Sequence, residues 1–355
     1  MANTKQKPTI ILDDGTVAEC QEPVVVSASR STDIPAFYCD WFFHRLKIGY
    51  SAWKNPFNGV KMYISYAKTR FIVFWSKNPR PLLKHLDELK ERGIGCYIQY
   101  SLNDYEEEKL ERGVPPIEER IDTFKKLVDA LGFGSVVWRF DPLMLTDDIT
   151  IDKLLKKIEN IGDQLKGYTE KLVFSFADIH LYRKVKSNLE ANGIPYHEWI
   201  EEQMQEFASR LVELNERKKW NYTLATCGEP GRYPGIVPNH CIDDELIIRR
   251  AYNDKELMAF LKAEINPIPE PDLFGNCKLP EEAILLPNHL YAVHGNNSDK
   301  GQRTYCGCMK SKDIGEYNTC VHLCEYCYAN ASKKIAQQNY NRHLENPFTE
   351  TITGK

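Results

Sequence analysis

The chain has 355 residues, 42% hydrophobic and 27% charged, enough for one large core or two ordinary domains. A net charge of −4 excludes a general drive toward nucleic acid or acidic membranes, though not a local basic patch. Residues Met1 to Lys7 lack the apolar run of a secretion signal, and no stretch approaches the roughly 18 apolar residues of a membrane span. A cytoplasmic protein without membrane contact is therefore expected. There, eleven cysteines read as metal or redox ligands rather than disulfides.

Thr9 to Ala18 reads as a hairpin around Asp14-Gly15. From Val24-Val25-Val26 onward, short apolar runs recur, each ending in polar residues. Phe71 to Trp75 precedes Ser76-Lys77-Asn78-Pro79. Gly95 to Tyr100 precedes Ser101-Leu102-Asn103-Asp104. Ser135 to Trp138 precedes Arg139-Phe140-Asp141-Pro142. Lys171 to Phe176 precedes Ala177-Asp178-Ile179-His180. Asn221 to Thr226 precedes Cys227-Gly228-Glu229-Pro230. Helical periods separate them, at Pro81 to Lys90, Ile117 to Leu131, Ile151 to Leu165 and Trp199 to Lys218. Six strands alternating with helices predict a parallel sheet, either a β/α barrel or an open doubly wound sheet. No G-x-G-x-x-G follows the first strand, which favours a TIM-like (β/α) barrel of six or more strands, with chemistry at the strands' C-terminal ends.

One more helix is expected up to about Lys262, and the Pro-rich Asn266 to Leu273 reads as a boundary. The expected division is a hairpin over 1–23, a barrel over 24–265 and a cysteine-rich tail over 266–355 capping the barrel mouth. The tail is poor in pattern until a last helix at about Ala331 to His343.

Cys306-Gly307-Cys308 is followed, after eleven intervening residues, by Cys320, Cys324 and Cys327 in C-x3-C-x2-C spacing. Three thiolates so spaced can hold three irons of a four-iron cluster and leave the fourth open. A zinc site drawing its fourth thiolate from Cys306 or Cys308 is the alternative. A C-x-C pair needs two more ligands, and Cys227 and Cys241 are the best candidates for a second, fully ligated [4Fe–4S] cluster, with Cys277 in reserve. Their alternative is ordinary buried thiols, as expected for Cys20, Cys39 and Cys96. At the strand ends, Arg30 and Asp33, Lys77 and Asn78, and Arg139 and Asp141 are candidates for clamping substrate. An Arg30–Asp33 ion pair closing the barrel is the bland reading of the first two. Asp178, His180, His240 and His322 rank lower.

The run Asn318 to Ala329, with Tyr326 just before the last cysteine, resembles the C-x3-C-x-aromatic-C signature of radical S-adenosylmethionine enzymes, and locally the spore photoproduct lyase branch. That resemblance implies a [4Fe–4S] cluster on Cys320, Cys324 and Cys327 and S-adenosylmethionine cleaved to a 5′-deoxyadenosyl radical. It also implies an electron donor of the flavodoxin or ferredoxin type, with nucleic acid as one conceivable substrate. Cys227-Gly228-Glu229-Pro230 is similar to the Gly-Gly-Glu-Pro stretch that holds the cosubstrate's ammonium, which would fall to Glu229. In most of that superfamily the cysteine motif follows the first barrel strand; here it comes last, which implies a permuted barrel. The whole chain from about 24 to 330 also resembles a bacterial family labelled as a domain of unknown function, through Ser29 to Tyr38, Trp75 to Pro79, Arg139 to Pro142 and the late cysteines. A different expectation is a non-radical zinc or iron–sulfur binding module with a structural or nucleic-acid-contact role.

Overall fold

β-Branched and aromatic runs that must be buried on both faces form a parallel sheet. A computed structural model describes residues 7–55, 58–229, 232–271, 278–303 and 305–354, so Cys277 lies outside the described residues. The main sheet has eight strands: β1 (Val25–Ala28), β2 (Phe71–Ser76), β3 (Gly95–Ser101), β4 (Val136–Leu143), β5 (Lys171–Phe176), β6 (Thr223–Thr226), β7 (Val237–Pro238) and β8 (Lys312–Asp313). All its ladders are parallel, and spatial order follows chain order from β1 to β7, with β8 added outside β1. Among the described residues no ladder joins β7 to β8, so closure of the sheet into a ring is not seen.

Alternation along each strand divides the core in two. Ile72, Phe74, Ile98, Tyr100, Val136, Trp138, Leu172 and Phe174 face a helical layer. It includes α1 (Ile117–Leu131), α2 (Ile151–Leu165) and α3 (Glu201–Lys218), which bury Phe124 and Leu127, Ile158 and Ile161, and Phe207 and Leu211. Phe71, Val73, Tyr97, Val137, Val173 and Ala225 face the other way. They pack with Ile247 and Ile248 of α4 (Asp244–Ala251), Leu257 of α5 (Lys255–Leu261) and Ala292. Asp243 and Asp254 cap α4 and α5 by accepting from Leu246 N at 3.0 Å and Leu257 N at 3.0 Å. The second cap explains why the single expected helix up to Lys262 is two.

Other departures are local. Pro81 to Lys90 begins as a 3₁₀ turn (Arg80–His85) before a short α-helix (Leu86–Glu91). Thr9–Ile11 and Val17–Gln21 pair as an antiparallel hairpin, and Val17–Gln21 continues onto Lys61–Ser65 and Tyr50–Lys54 in a four-stranded sheet. The seemingly patternless segment after Leu261 holds three antiparallel strands, Ala263–Pro267, Ile284–Leu286 and Leu290–His294. The last helix, α6, spans Lys333–Glu345 and is capped by Ser332.

The tail does more than lie across the sheet, because β8 is a strand of it. Its Asp313 carboxylate binds β1 and the loop beyond it, accepting from Ser27 Oγ at 3.0 Å, Ser29 Oγ at 2.7 Å and Arg30 N at 2.9 Å. The cysteine loop then runs from β8 to α6.

Candidate functional site

The C-terminal strand ends open onto a cavity of about 460 Å³. Its wall is drawn from every main strand end between β1 and β6, from Gln302, Arg303, Cys306 and Cys308, and from the cysteine loop. Arg30, Asp33, Lys77, Arg139, Asp141, Glu229 and Tyr326 line it, and so do all seven cysteines singled out as ligands. Asn78 is not part of the wall; its N–H is turned back to Ser76 Oγ at 2.9 Å. His180 is exposed beside Glu198. Asp178 and His322 reach the cavity. Cys20, Cys39 and Cys96 are buried elsewhere, and none of the ten described cysteines is in a disulfide.

Asp33 is a structural hub. It accepts from Ala36 N, Ser76 Oγ and Lys77 N at 3.0, 2.6 and 2.7 Å, and His322 Nε2 lies 2.7 Å from it. Burial alone would raise its carboxyl, but the His322 contact and these donors hold it below the usual range. With both oxygens engaged, Asp33 positions the cysteine loop and has little left for substrate. The Arg30–Asp33 pair of the bland reading is not seen; Arg30 turns instead to Gln302 Oε1 at 3.0 Å.

A second network, unseen in the sequence, underpins Tyr326. Lys77 Nζ donates to Glu111 Oε1 at 2.7 Å and to the Tyr326 hydroxyl at 3.0 Å; Tyr326 itself donates to Glu111. Asn103 Nδ2 joins both at 3.1 Å, and Arg120 Nη1 lies 3.7 Å from Glu111 Oε2. Burial would raise Glu111, yet Lys77 and Arg120 outweigh it and bring the carboxyl down to about 2. The loop is also pinned by backbone, as Gly113 N donates to His322 O at 2.8 Å. A Cβ on Gly113 would meet Val321 O at 2.6 Å, so this approach requires glycine.

Arg139 and Asp141 share one side of β4 and pair directly, with Arg139 Nε donating to Asp141 Oδ2 at 3.1 Å. Ser175 Oγ donates to the other Asp141 oxygen. Glu229 accepts from Phe176 N at 3.0 Å. Burial is the main cause that lifts it to about 7, with Asp178 and Asp141 adding to the rise.

The thiols form two groups. Cys320, Cys324 and Cys327 come from one loop, and burial pushes each upward. Cys227, Cys241, Cys306 and Cys308 come from three chain segments. Cys227 Sγ and Cys241 Sγ are 3.1 Å apart, and Cys308 Sγ accepts from Cys241 N at 3.2 Å and Ile242 N at 3.4 Å. Cys306 is brought down to about 6, chiefly by its hydrogen bond from the Cys308 thiol, against burial. Gly307 between them leaves room for His240, whose Nε2 would lie 2.1 Å from any Cβ there. In kind, these all-thiol donor sets fit iron–sulfur ligation. Among the described residues no group of three or more His, Cys, Asp or Glu is arranged to hold a single metal ion.

A family model described as a domain of unknown function (DUF1848) matches residues 25–329. No curated protein and no solved structure matches the chain.

Proposed function

This chain belongs to the family of the domain of unknown function DUF1848, and from that premise we propose that it is a radical S-adenosylmethionine enzyme. The carrying observation is the position of the cysteine loop. It joins β8 to α6, and β8 lies beside β1 at the edge of the sheet. A strand, the cysteine loop and a helix thus precede β1 in space, although they follow it in sequence. That is the placement the radical-enzyme resemblance implies for a permuted ring. We read the sheet accordingly as a β/α barrel left open between β7 and β8, since its strand order has no switch point.

Cys320, Cys324 and Cys327 would hold the cluster. When bound, such a cluster supplies the electron that cleaves S-adenosylmethionine to a 5′-deoxyadenosyl radical. The protein's own part is binding and placement. Asp33, through His322, and the Lys77–Glu111–Tyr326 network fix the thiols' loop from two sides. Glu229 offers a carboxylate to the cosubstrate ammonium. Asp141, oriented by Arg139 and Ser175, faces the cavity as a hydrogen-bond acceptor for substrate. The buried walls exclude water from a reactive radical. A flavodoxin- or ferredoxin-type donor is the partner this chemistry needs.

The test is an anaerobic assay for 5′-deoxyadenosine with reduced, iron-loaded protein. Wild type is expected to form it slowly without added substrate, and Cys327→Ala to form none. A colourless protein carrying one zinc after iron–sulfur reconstitution would overturn the proposal in favour of a non-radical binding module.

A further inference from the structure

The second group of thiols has no part in that chemistry. We infer that Cys227, Cys241, Cys306 and Cys308 hold a second, fully ligated four-iron cluster, which joins three distant segments of the chain at the cavity wall. The inference rests on the geometry of this group and stands whether or not the first triplet supports radical chemistry.

Three observations carry it. First, side chains 14 and 67 residues apart are brought together: Cys227 Sγ lies 3.1 Å from Cys241 Sγ, and the Cys308 sulfur is held by the backbone of residues 241 and 242. Ordinary core thiols have no reason to collect from β6, the segment before α4 and the tail.

Second, the sulfurs are acceptors of a preformed set of N–H donors. Arg139 Nη1 and Asn239 Nδ2 both donate to Cys241 Sγ at 3.3 Å, beside the two backbone donors on Cys308. N–H donors aimed at sulfur are the surroundings that tune bound clusters.

Third, the site holds cations that would offset the charge of a thiolate-bound cluster. Four thiolates would bring four negative charges. The nearby guanidiniums of Arg30 and Arg139, both placed against Trp75 at 5.6 and 5.3 Å, return two. Arg139 also spends part of its charge on Asp141. The indole N–H of Trp75 is itself buried without an acceptor among the described residues, and it borders the same cavity.

A four-iron cluster distributes its thiolates over separate irons, so Cys227 and Cys241 must part as it enters. Unlike the three-cysteine loop, this set supplies a thiolate to every iron and leaves none open for a substrate.

The experiment is an iron and sulfide count with visible and electron paramagnetic resonance spectra after anaerobic reconstitution. The Cys320→Ala/Cys324→Ala/Cys327→Ala variant is expected to stay brown and keep about four irons per chain. Adding Cys227→Ser and Cys241→Ser should abolish that iron. If the triple variant does not fold, the comparison is made with Cys327→Ala, in which the further Cys306→Ser/Cys308→Ser change should remove about four irons. An iron-free triple variant, or one zinc in place of iron, would overturn the second cluster. Four irons in the triple variant but no more in wild type would instead sink the radical proposal and leave this one standing.

Discussion

Glu111 shows what one buried charge does for the network around Tyr326. It is 4% exposed, and its carboxylate answers Lys77 and Arg120 together. Burial works against the charge, and the two cations win, so its folded value is about 2 against an ordinary 4.5. A depressed carboxyl stabilises the fold above about pH 4.5, and that contribution is lost as pH falls through about 2. Glu111→Gln is expected to cost about 3 kcal/mol at pH 7. Urea melts of both proteins at pH 7 and pH 3 check this, and the gap should roughly halve at the lower pH. A gap that stays constant would mean that shape, not charge, is what the glutamine loses. Arg30, Lys77, Arg139 and Asp141 were legible in the sequence because each ends an apolar run. Glu111 was not, since it lies in a loop and meets Lys77 only through tertiary packing. Asp313 was missed for the same reason: nothing local marks a residue whose partners are Ser27, Ser29 and Arg30.

At the scale of elements, the main strands could be read because burial on both faces writes a continuous apolar run. β8 could not, because two residues, Lys312 and Asp313, carry no period. The tail was therefore expected as a cap, whereas the structure gives it a strand. The cysteine loop depends on a neighbouring loop as much as on its own sequence. Gly113 donates to His322 O and lies so close that a methyl group would press on backbone atoms, which cannot swing away as a side chain can. Gly113→Ala is expected to destabilise the fold by about 1–3 kcal/mol and to lower iron uptake at Cys320, Cys324 and Cys327. Thermal melting and iron content measured on the same preparation test it. Loss of stability with full iron uptake would show that the loop holds its thiols in place without this contact.

For the whole molecule, the residues that would hold metal come from separate segments between 227 and 327, so binding and folding would be linked. Removing iron with a chelator under anaerobic conditions is expected to lower the Tm by several degrees and to expose the chain between 306 and 327 to protease. Iron-loaded and iron-free samples compared by calorimetry and limited proteolysis give the check. Identical melting and cleavage would mean that protein contacts alone hold the tail.

The pairing of β8 with β1 also sets a schedule for synthesis. Ser27 and Asp313 are 286 residues apart. At ~5–20 residues per second, a ribosome needs on the order of tens of seconds to make the chain between them. During that interval the outer edge of β1 is without its partner strand, and an apolar parallel edge left bare is a template for aggregation. The last-made cysteines emerge later still, so the proposed cluster sites would be incomplete while the body of the sheet is being made. The nascent chain is therefore expected to depend on chaperones for as long as β1 waits.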